Sequence, residues 1–186
     1  DASPRVVEFW EALDSRAKLC IRNKKDVQVI RYGVHVCTFQ WFNENNSLAI
    51  LLPSGRRLFY PFCRIATKSV NGRDREVITY KGQDLTGKWA DLDTYGGKLT
   101  ENITQAVSRD LLAYGMQEIV KRYPAVKIVG HIHDETVNET PLDDFGEPTV
   151  SLKEICEAMA ATPKWADAFG IPLKAEGFTS KYYKKD

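Results

Sequence analysis

The segment from residue 98 to 122, KLTENITQAVSRDLLAYGMQEIVKR, limits the possible folds more than any other stretch of the chain. Leu99, Ile103, Val107 and Leu111 recur every four residues, the spacing that gathers side chains on one side of an α-helix. Glu101, Gln105 and Arg109 repeat at the same interval, so the helix carries a separate polar stripe. Pro124 lacks a backbone N–H and stops the helix. Beyond it the texture changes. Residues 126–133 read as a strand, a second run passes through Val137 to Glu139, and HDE, 133–135, lies between them. A long helix leading into an antiparallel hairpin with charges at its tip places the chain in the α+β class.

The rest of the chain divides by its punctuation. Residues 4–22 read as an amphipathic helix: Ser3 suits the N-cap, Pro4 the first helical position, and Val6, Trp10, Leu13, Ala17 and Ile21 step by three and four. Between 27 and 80, VQVIRYGVHVCTFQWF and SLAILLP are β-rich, and PSGR and VNGRD mark turns. This predicts two hairpins joined in an irregular, mostly antiparallel patch. GQDLTGKWADLDTYGG, 82–97, is rich in Gly and Asp and reads as a loop-like connection. Ser151 and Glu154 form a capping box for a helix over 151–161, with Leu152, Ile155 and Met159 on one side. IPLKAEGF, 171–178, reads as a last strand, and SKYYKKD as a basic, aromatic tail. Internal repeats and low-complexity tracts are absent.

Composition narrows the class. A length of 186 residues and an apolar content of 43% suit one domain, or one and a half, with a packed core. The net charge of +1 neither suggests a nucleic-acid binder nor excludes one, because local clustering matters more than the sum. Cys20, Cys37, Cys63 and Cys156 form no CxxC pair and read as reduced thiols in a cytoplasmic protein, not as a disulfide framework or a zinc knuckle. No run approaches the roughly 18 apolar residues of a membrane span, so a membrane partner is not expected. The chain opens without Met and moves straight into a helix, as if cut or matured from something longer.

KIVGHIHDETVNETP, 127–141, crowds two histidines, an aspartate and a glutamate into five residues after an apolar approach. The approach reads as a buried strand ending at the charged tip. Three chemistries suit the cluster. His131 and His133 are two apart, face the same way if both lie on a strand, and would make the HxH of a zinc hydrolase. A catalytic zinc usually takes three protein ligands, however, and the remaining histidine, His35, sits in a distant hairpin. The second reading is a solvated polar turn with no chemistry. In the third, Asp134 and Glu135 hold divalent metal beside a groove for phosphoryl transfer. Mg²⁺ prefers one or two carboxylates with waters and phosphate oxygens, and a further carboxylate must then come from elsewhere.

HDE at 133–135, after an apolar strand and before TVNE, resembles the third sequence motif of the family A, DNA polymerase I-like, DNA polymerases. TYGGKLTENITQAVSRDLL, 94–112, is similar to the helix that precedes that motif in the bacteriophage branch of the family. LPSGRRLFYP, 52–61, resembles the segment before it, and IPLKAEGF the closing strand. The pieces occur in family order across nearly the whole chain. The resemblance implies that Asp134 is one of two metal-binding catalytic aspartates and that Glu135 supports it near the metals. It implies that His133 lies near the terminal nucleotide of the primer, and that Gln105 reaches the minor groove at the primer end. It gives Arg109 the task of supporting the hairpin or contacting a backbone phosphate. The implied cofactor is Mg²⁺, and the implied partners are primer–template DNA and a dNTP.

The chain departs from the family pattern in two ways. The usual HDELVFE reads HDETVNE, with Thr136 and Asn138 at apolar positions. The first motif, D-Y-S-x-x-E, which holds the other catalytic aspartate, has no counterpart. Lys24, Tyr32 and Gly33 match the K-x₇-Y-G half of the second motif, the fingers helix R-x₃-K-x₇-Y-G. Cys20 stands at the Arg position and DVQVIR is β-like, so this match reads as a coincidence. SPRVVEFWEAL is similar instead to the segment just after that helix in phage enzymes. The expectation is a partial polymerase fold, running from just after the nucleotide-gripping helix to the C-terminus. Residues 1–93 would be the remainder of the fingers, and 94–186 the C-terminal half of the palm, with the long helix packed beside the HDE hairpin. Such a piece needs a complementary N-terminal polymerase chain carrying the first and second motifs, and would act in the cytoplasm of an infected bacterial host. The alternatives are a non-catalytic remnant that binds primer termini, and the zinc hydrolase.

Overall fold

A computed structural model describes residues 3–70 and 72–183 of the chain. Contacts divide it into two units, Asp1–Gln105 and Ala106–Asp186. The first opens with helix α1, Pro4–Asn23. Pro occupies its first turn, and the Ser3 carbonyl accepts the amides of Val6 and Val7, while the Ser3 side chain makes no cap. Leu13, Ala17, Cys20 and Ile21 form its buried stripe, and Lys24 ends it in the left-handed conformation at φ 52°. The stripe packs on an antiparallel sheet of β1 (Val27–Arg31), β2 (Val34–Phe42), β3 (Ser47–Leu51) and β4 (Arg57–Tyr60), in that spatial order. Val29, Phe39, Leu48 and Ile50 supply its core. Tyr32 and Gly33 turn β1 into β2 with φ 50° and 79°, the paired positive values of a two-residue type I′ hairpin loop. Lys24, Tyr32 and Gly33 therefore share no helix.

A second antiparallel sheet comes next: β5 (Arg64–Val70), β6 (Arg73–Gln83) and β7 (Trp89–Thr94). Two hairpins were expected over 27–80, and among the described residues that stretch carries the whole four-stranded sheet, β5 and most of β6 instead. Much of 82–97, expected as a loop, is strand. Ala90, Leu92 and Thr94 turn inward, and Trp89, Asp91 and Asp93 turn outward, so the apparent loop composition was the polar face of β7. Asp84 organises the short β6–β7 connection: its Oδ1 accepts the amides of Thr86 (2.8 Å) and Lys88 (3.0 Å), and Gly87 takes φ 79°. The same device recurs at Asp143, whose Oδ1 accepts the amides of Phe145 and Glu147, with Gly146 at φ 83°.

Helix α2, Gly96–Arg122, contributes 96–105 to the first unit and 106–122 to the second. Its opening turn lies against α1 so closely that a Cβ on Gly96 would stand 2.0 Å from the Trp10 carbonyl oxygen. Asn102 Nδ2 donates to the Tyr60 hydroxyl at 2.9 Å. These contacts carry the first unit beyond the 93/94 break expected from sequence.

The second unit adds β8 (Lys127–Ile132), β9 (Glu135–Glu139), α3 (Leu152–Met159) and a 3-10 helix, Lys164–Phe169. Ile119, Val126, Val150 and Ala158 form its core, with Tyr123, Ile128, Ile155 and Met159 packed around them. α2 and α3 meet at Gly115, where a Cβ would lie 2.8 Å from the Met159 carbonyl oxygen. The capping box of α3 is complete: Ser151 Oγ accepts the Glu154 amide and Glu154 accepts the Ser151 amide. The expected last strand, 171–178, does not form. β8 and β9 pair only with each other, and an extended run becomes a strand only where a ladder partner receives it. Of the tail, residues 184–186 lie outside those described. Among the described residues no helix is long and apolar enough to cross a membrane.

Candidate active site

The HDE segment forms the tip of the β8–β9 hairpin. Ile132 pairs with Glu135, leaving His133 and Asp134 as the two turn residues. So tight a loop demands a positive φ, and His133 supplies it at 53°, a conformation that His adopts more readily than most residues. Toward the base the register slips. Ile128 faces Asn138 and Gly130 faces Val137, so Val129 is an extra, bulged residue.

Ile128 anchors the base of the ribbon in the core of the second unit. From there the ribbon rises into solvent: His131, Ile132, His133, Asp134 and Glu135 are all exposed. The apolar run KIVGHI is therefore not a buried strand. Val129 is 53% and Ile132 43% exposed, because a ribbon of two strands has faces that the unit does not cover.

Arg109 reaches the hairpin from α2, its Nη1 lying 3.3 Å from His131 Nδ1. Guanidinium can only donate, so in this contact His131 Nδ1 is the acceptor. The HxH expectation fails here. His133 is a turn residue in the left-handed region and not a strand residue, and the ring nitrogen of His131 nearest α2 already has a partner. His35 is engaged within the first unit by Thr38 Oγ1 at 2.8 Å. Among the described residues no three of His, Cys, Asp and Glu group as metal ligands.

The structure thus gathers Arg109, His131, His133, Asp134 and Glu135 in the second unit, while Gln105 belongs to the first. Gln105 is exposed and its Nε2 donates to Glu101 Oε1 at 3.2 Å, so two members of the polar stripe bond each other. Asp134 and Glu135 are adjacent, exposed and free of ion pairs among the described residues. Chemically they are two hard oxygen donors able to fill part of the shell of a Mg²⁺ ion, which takes few carboxylates and keeps several waters.

The sequence did not single out His131 as the partner of Arg109, although a polar-stripe cation and a strand-end histidine were both visible. The two polar residues of β9 also have a local logic. Asn138 Nδ2 donates to Thr136 Oγ1 at 2.9 Å, and both are half-buried on the same face of the strand. Asn138 Oδ1 is buried without a partner.

The chain is 36% identical over 185 residues to a DNA polymerase of Bacillus phage SP02. That match takes in 100% of this chain and 26% of the phage polymerase, so the chain spans about a quarter of the length of this relative. No protein-family profile matches the chain, and no solved structure matches it. A similarity of this extent covers both units and includes the hairpin tip.

Proposed function

We propose that the chain is the C-terminal catalytic part of a DNA-directed DNA polymerase of the phage-type family A, with Asp134 as one of its two metal-holding aspartates. The observation that carries this reading is the pair of adjacent, exposed, unpaired carboxylates at a hairpin tip. The similarity to a phage DNA polymerase supports it from a separate direction.

Each residue then has a task. Asp134 and Glu135 would hold Mg²⁺, and their exposed oxygens, with no ion pair to a cation among the described residues, suit that ion. Bound metal would supply Lewis acidity for attack of the primer 3′-hydroxyl on the dNTP α-phosphate and for departure of pyrophosphate. Arg109, through His131, fixes the hairpin to α2, so the carboxylates stand on a held element rather than a free loop. His133 lies beside the primer terminus. Gln105 meets minor-groove acceptors, which are nearly the same for every base pair and report pair geometry without sequence. The second aspartate and the cationic helix that grips the triphosphate come from outside these 186 residues, in a complementary chain or a longer polypeptide.

The test is primer extension by the purified chain with Mg²⁺ and dNTPs, with and without a polypeptide supplying D-Y-S-x-x-E and R-x₃-K-x₇-Y-G. Extension is expected only with the complement. Asp134→Asn should abolish it while shifting stability by no more than about 0.5 kcal/mol, as usual for an exposed site. Near-normal extension by a folded Asp134→Asn protein would defeat the assignment. Robust extension by the 186 residues alone would defeat the requirement for a complement.

A further inference from the structure

The β5–β6 ribbon sorts its charges by sign. Alternation puts Arg73 and Arg75 on one face of β6 and Asp74 and Glu76 on the other. Register extends the basic face: Lys68 of β5 lies directly opposite Arg75, and Arg64 lies opposite Thr79, which faces Asp93 of β7. Lys81 and Asp91, an opposed pair, complete it. The face therefore holds five cations, Arg64, Lys68, Arg73, Arg75 and Lys81, against two carboxylates, Asp91 and Asp93, for a local balance of +3 in a chain whose total is +1.

The carboxylates sit at one end. Asp91 pairs with Arg64 and Lys81, each at 3.1 Å, and Asp93 pairs with Lys68 at 2.7 Å. At the other end, beyond the reach of β7, Arg73 and Arg75 are exposed and have no ion pair among the described residues. Like charges placed directly opposite each other, as Lys68 and Arg75 are, weaken a sheet. A merely solvated ribbon could avoid this by setting its carboxylates across from its cations. Here Asp74 and Glu76 point to the other face, where Glu76 pairs with Arg22 of α1.

We propose that this outer face of β5–β6–β7 is a DNA backbone contact, with Arg73 and Arg75 taking phosphates of one strand. Two residues apart on β6, they are separated by roughly 7 Å along the strand, a spacing suited to successive phosphates. Guanidinium groups bind phosphate oxygens through two parallel hydrogen bonds. The choice of DNA over other polyanions rests on the polymerase reading. The contact is electrostatic and independent of sequence, and is distinct from the hairpin that carries Asp134.

The test is fluorescence anisotropy of a labelled primer–template duplex titrated with the full chain between about 50 and 200 mM salt. Removing two phosphate contacts with Arg73→Gln/Arg75→Gln should lower the slope of log affinity against log salt by about 1.8. The loss of affinity across that salt range should then shrink by about twelvefold. Asp74→Asn, on the opposite face, should leave the slope as it was. Both arginines are exposed and one faces a like charge, so the double variant should melt no lower than the parent. If Asp134-dependent extension occurs in the complemented enzyme and the slope ignores both arginines, this proposal falls while the polymerase reading stands. If the arginines govern the slope and no Asp134-dependent extension occurs, the polymerase reading falls and the DNA face stands. If polyglutamate binds through the two arginines and the duplex does not, the face takes an acidic protein and the proposal is overturned.

Discussion

Replacing Gly96 by alanine isolates the closest backbone approach in the first unit. An added Cβ would stand 2.0 Å from the Trp10 carbonyl oxygen, 2.7 Å from its carbon and 3.2 Å from Asp14 Cβ. Real Cβ contacts essentially never fall below 3.0 Å, so α1 and the opening turn of α2 must part by about 1 Å. The obstacle is main chain, so no rotamer change relieves it. Overpacking of this kind costs about 1–3 kcal/mol, and the upper half of that range applies where backbone must move. The opposing term is the better helix propensity of alanine, at most about 1 kcal/mol and less in a first turn. Net destabilisation should be about 1–2 kcal/mol, a fall of about 1 M in the urea midpoint. Gly97→Ala is the internal control. Its Cβ would meet the ring of Tyr95 at 2.9 Å, but Tyr95 is 62% exposed and its ring can swing away. The control should be neutral or slightly stabilising. Urea melts of the two variants, monitored by circular dichroism, would show the difference. A Gly96→Ala midpoint at or above the parent, or equal losses in both variants, would refute the steric reasoning.

Burial and capping give two further outcomes. Burial raises the thiols of Cys20, Cys37 and Cys63 to about 12, with Asp26 adding to the effect at Cys20. Iodoacetamide at mildly alkaline pH should therefore label the half-buried Cys156 in the native chain and all four thiols in urea, and native labelling of Cys63 as fast as Cys156 would contradict this. Ser151→Ala should cost about 1 kcal/mol by removing the cap of α3. The hydrogen bond from the Ser151 hydroxyl, then that from its amide, holds the Glu154 carboxyl below its usual value. A carboxylate depressed in the folded state stabilises above its unfolded pKa of about 4.3 and loses that effect as pH falls through the folded value. The melting difference between the parent and Glu154→Gln should thus be full near neutrality and close in acid; a difference independent of pH would count against it.

The parts of the fold legible in the sequence were those with local chemistry. α1, α2 and α3 have Pro, Ser or Glu at their starts or Pro beyond their ends, and the HDE turn lies between two extended runs. β7 was hidden because Asp91 and Asp93 belong to ion pairs with β5 and β6, and a strand that is acidic on one face looks like a loop until its partners are known. The segment 171–178 failed in the opposite sense: its apolar residues suit a strand, but pairing is not written in the segment itself. At the site, residue types gave the carboxylates and the polar stripe of α2. The Arg109–His131 contact depends on how β8 and α2 are juxtaposed, which no local pattern encodes.

The bulge at Val129 sets the bend of the hairpin. Below it Ile128 is committed to the core and faces Asn138, and above it Gly130 faces Val137, so the extra residue bends the ribbon without changing which face each side chain takes. Loss of residue 129 would leave these pairs continuous and the faces unchanged, but it would remove the bend and added right-handed twist that a bulge imparts, and so re-aim His131 and the carboxylates at the tip relative to Arg109. The identity of the residue matters far less, since Val129 is 53% exposed. This position should therefore look permissive in any scan of substitutions and forbidding in any scan of deletions. What it contributes to the site is a bend, made by one extra residue between a buried anchor and an exposed tip.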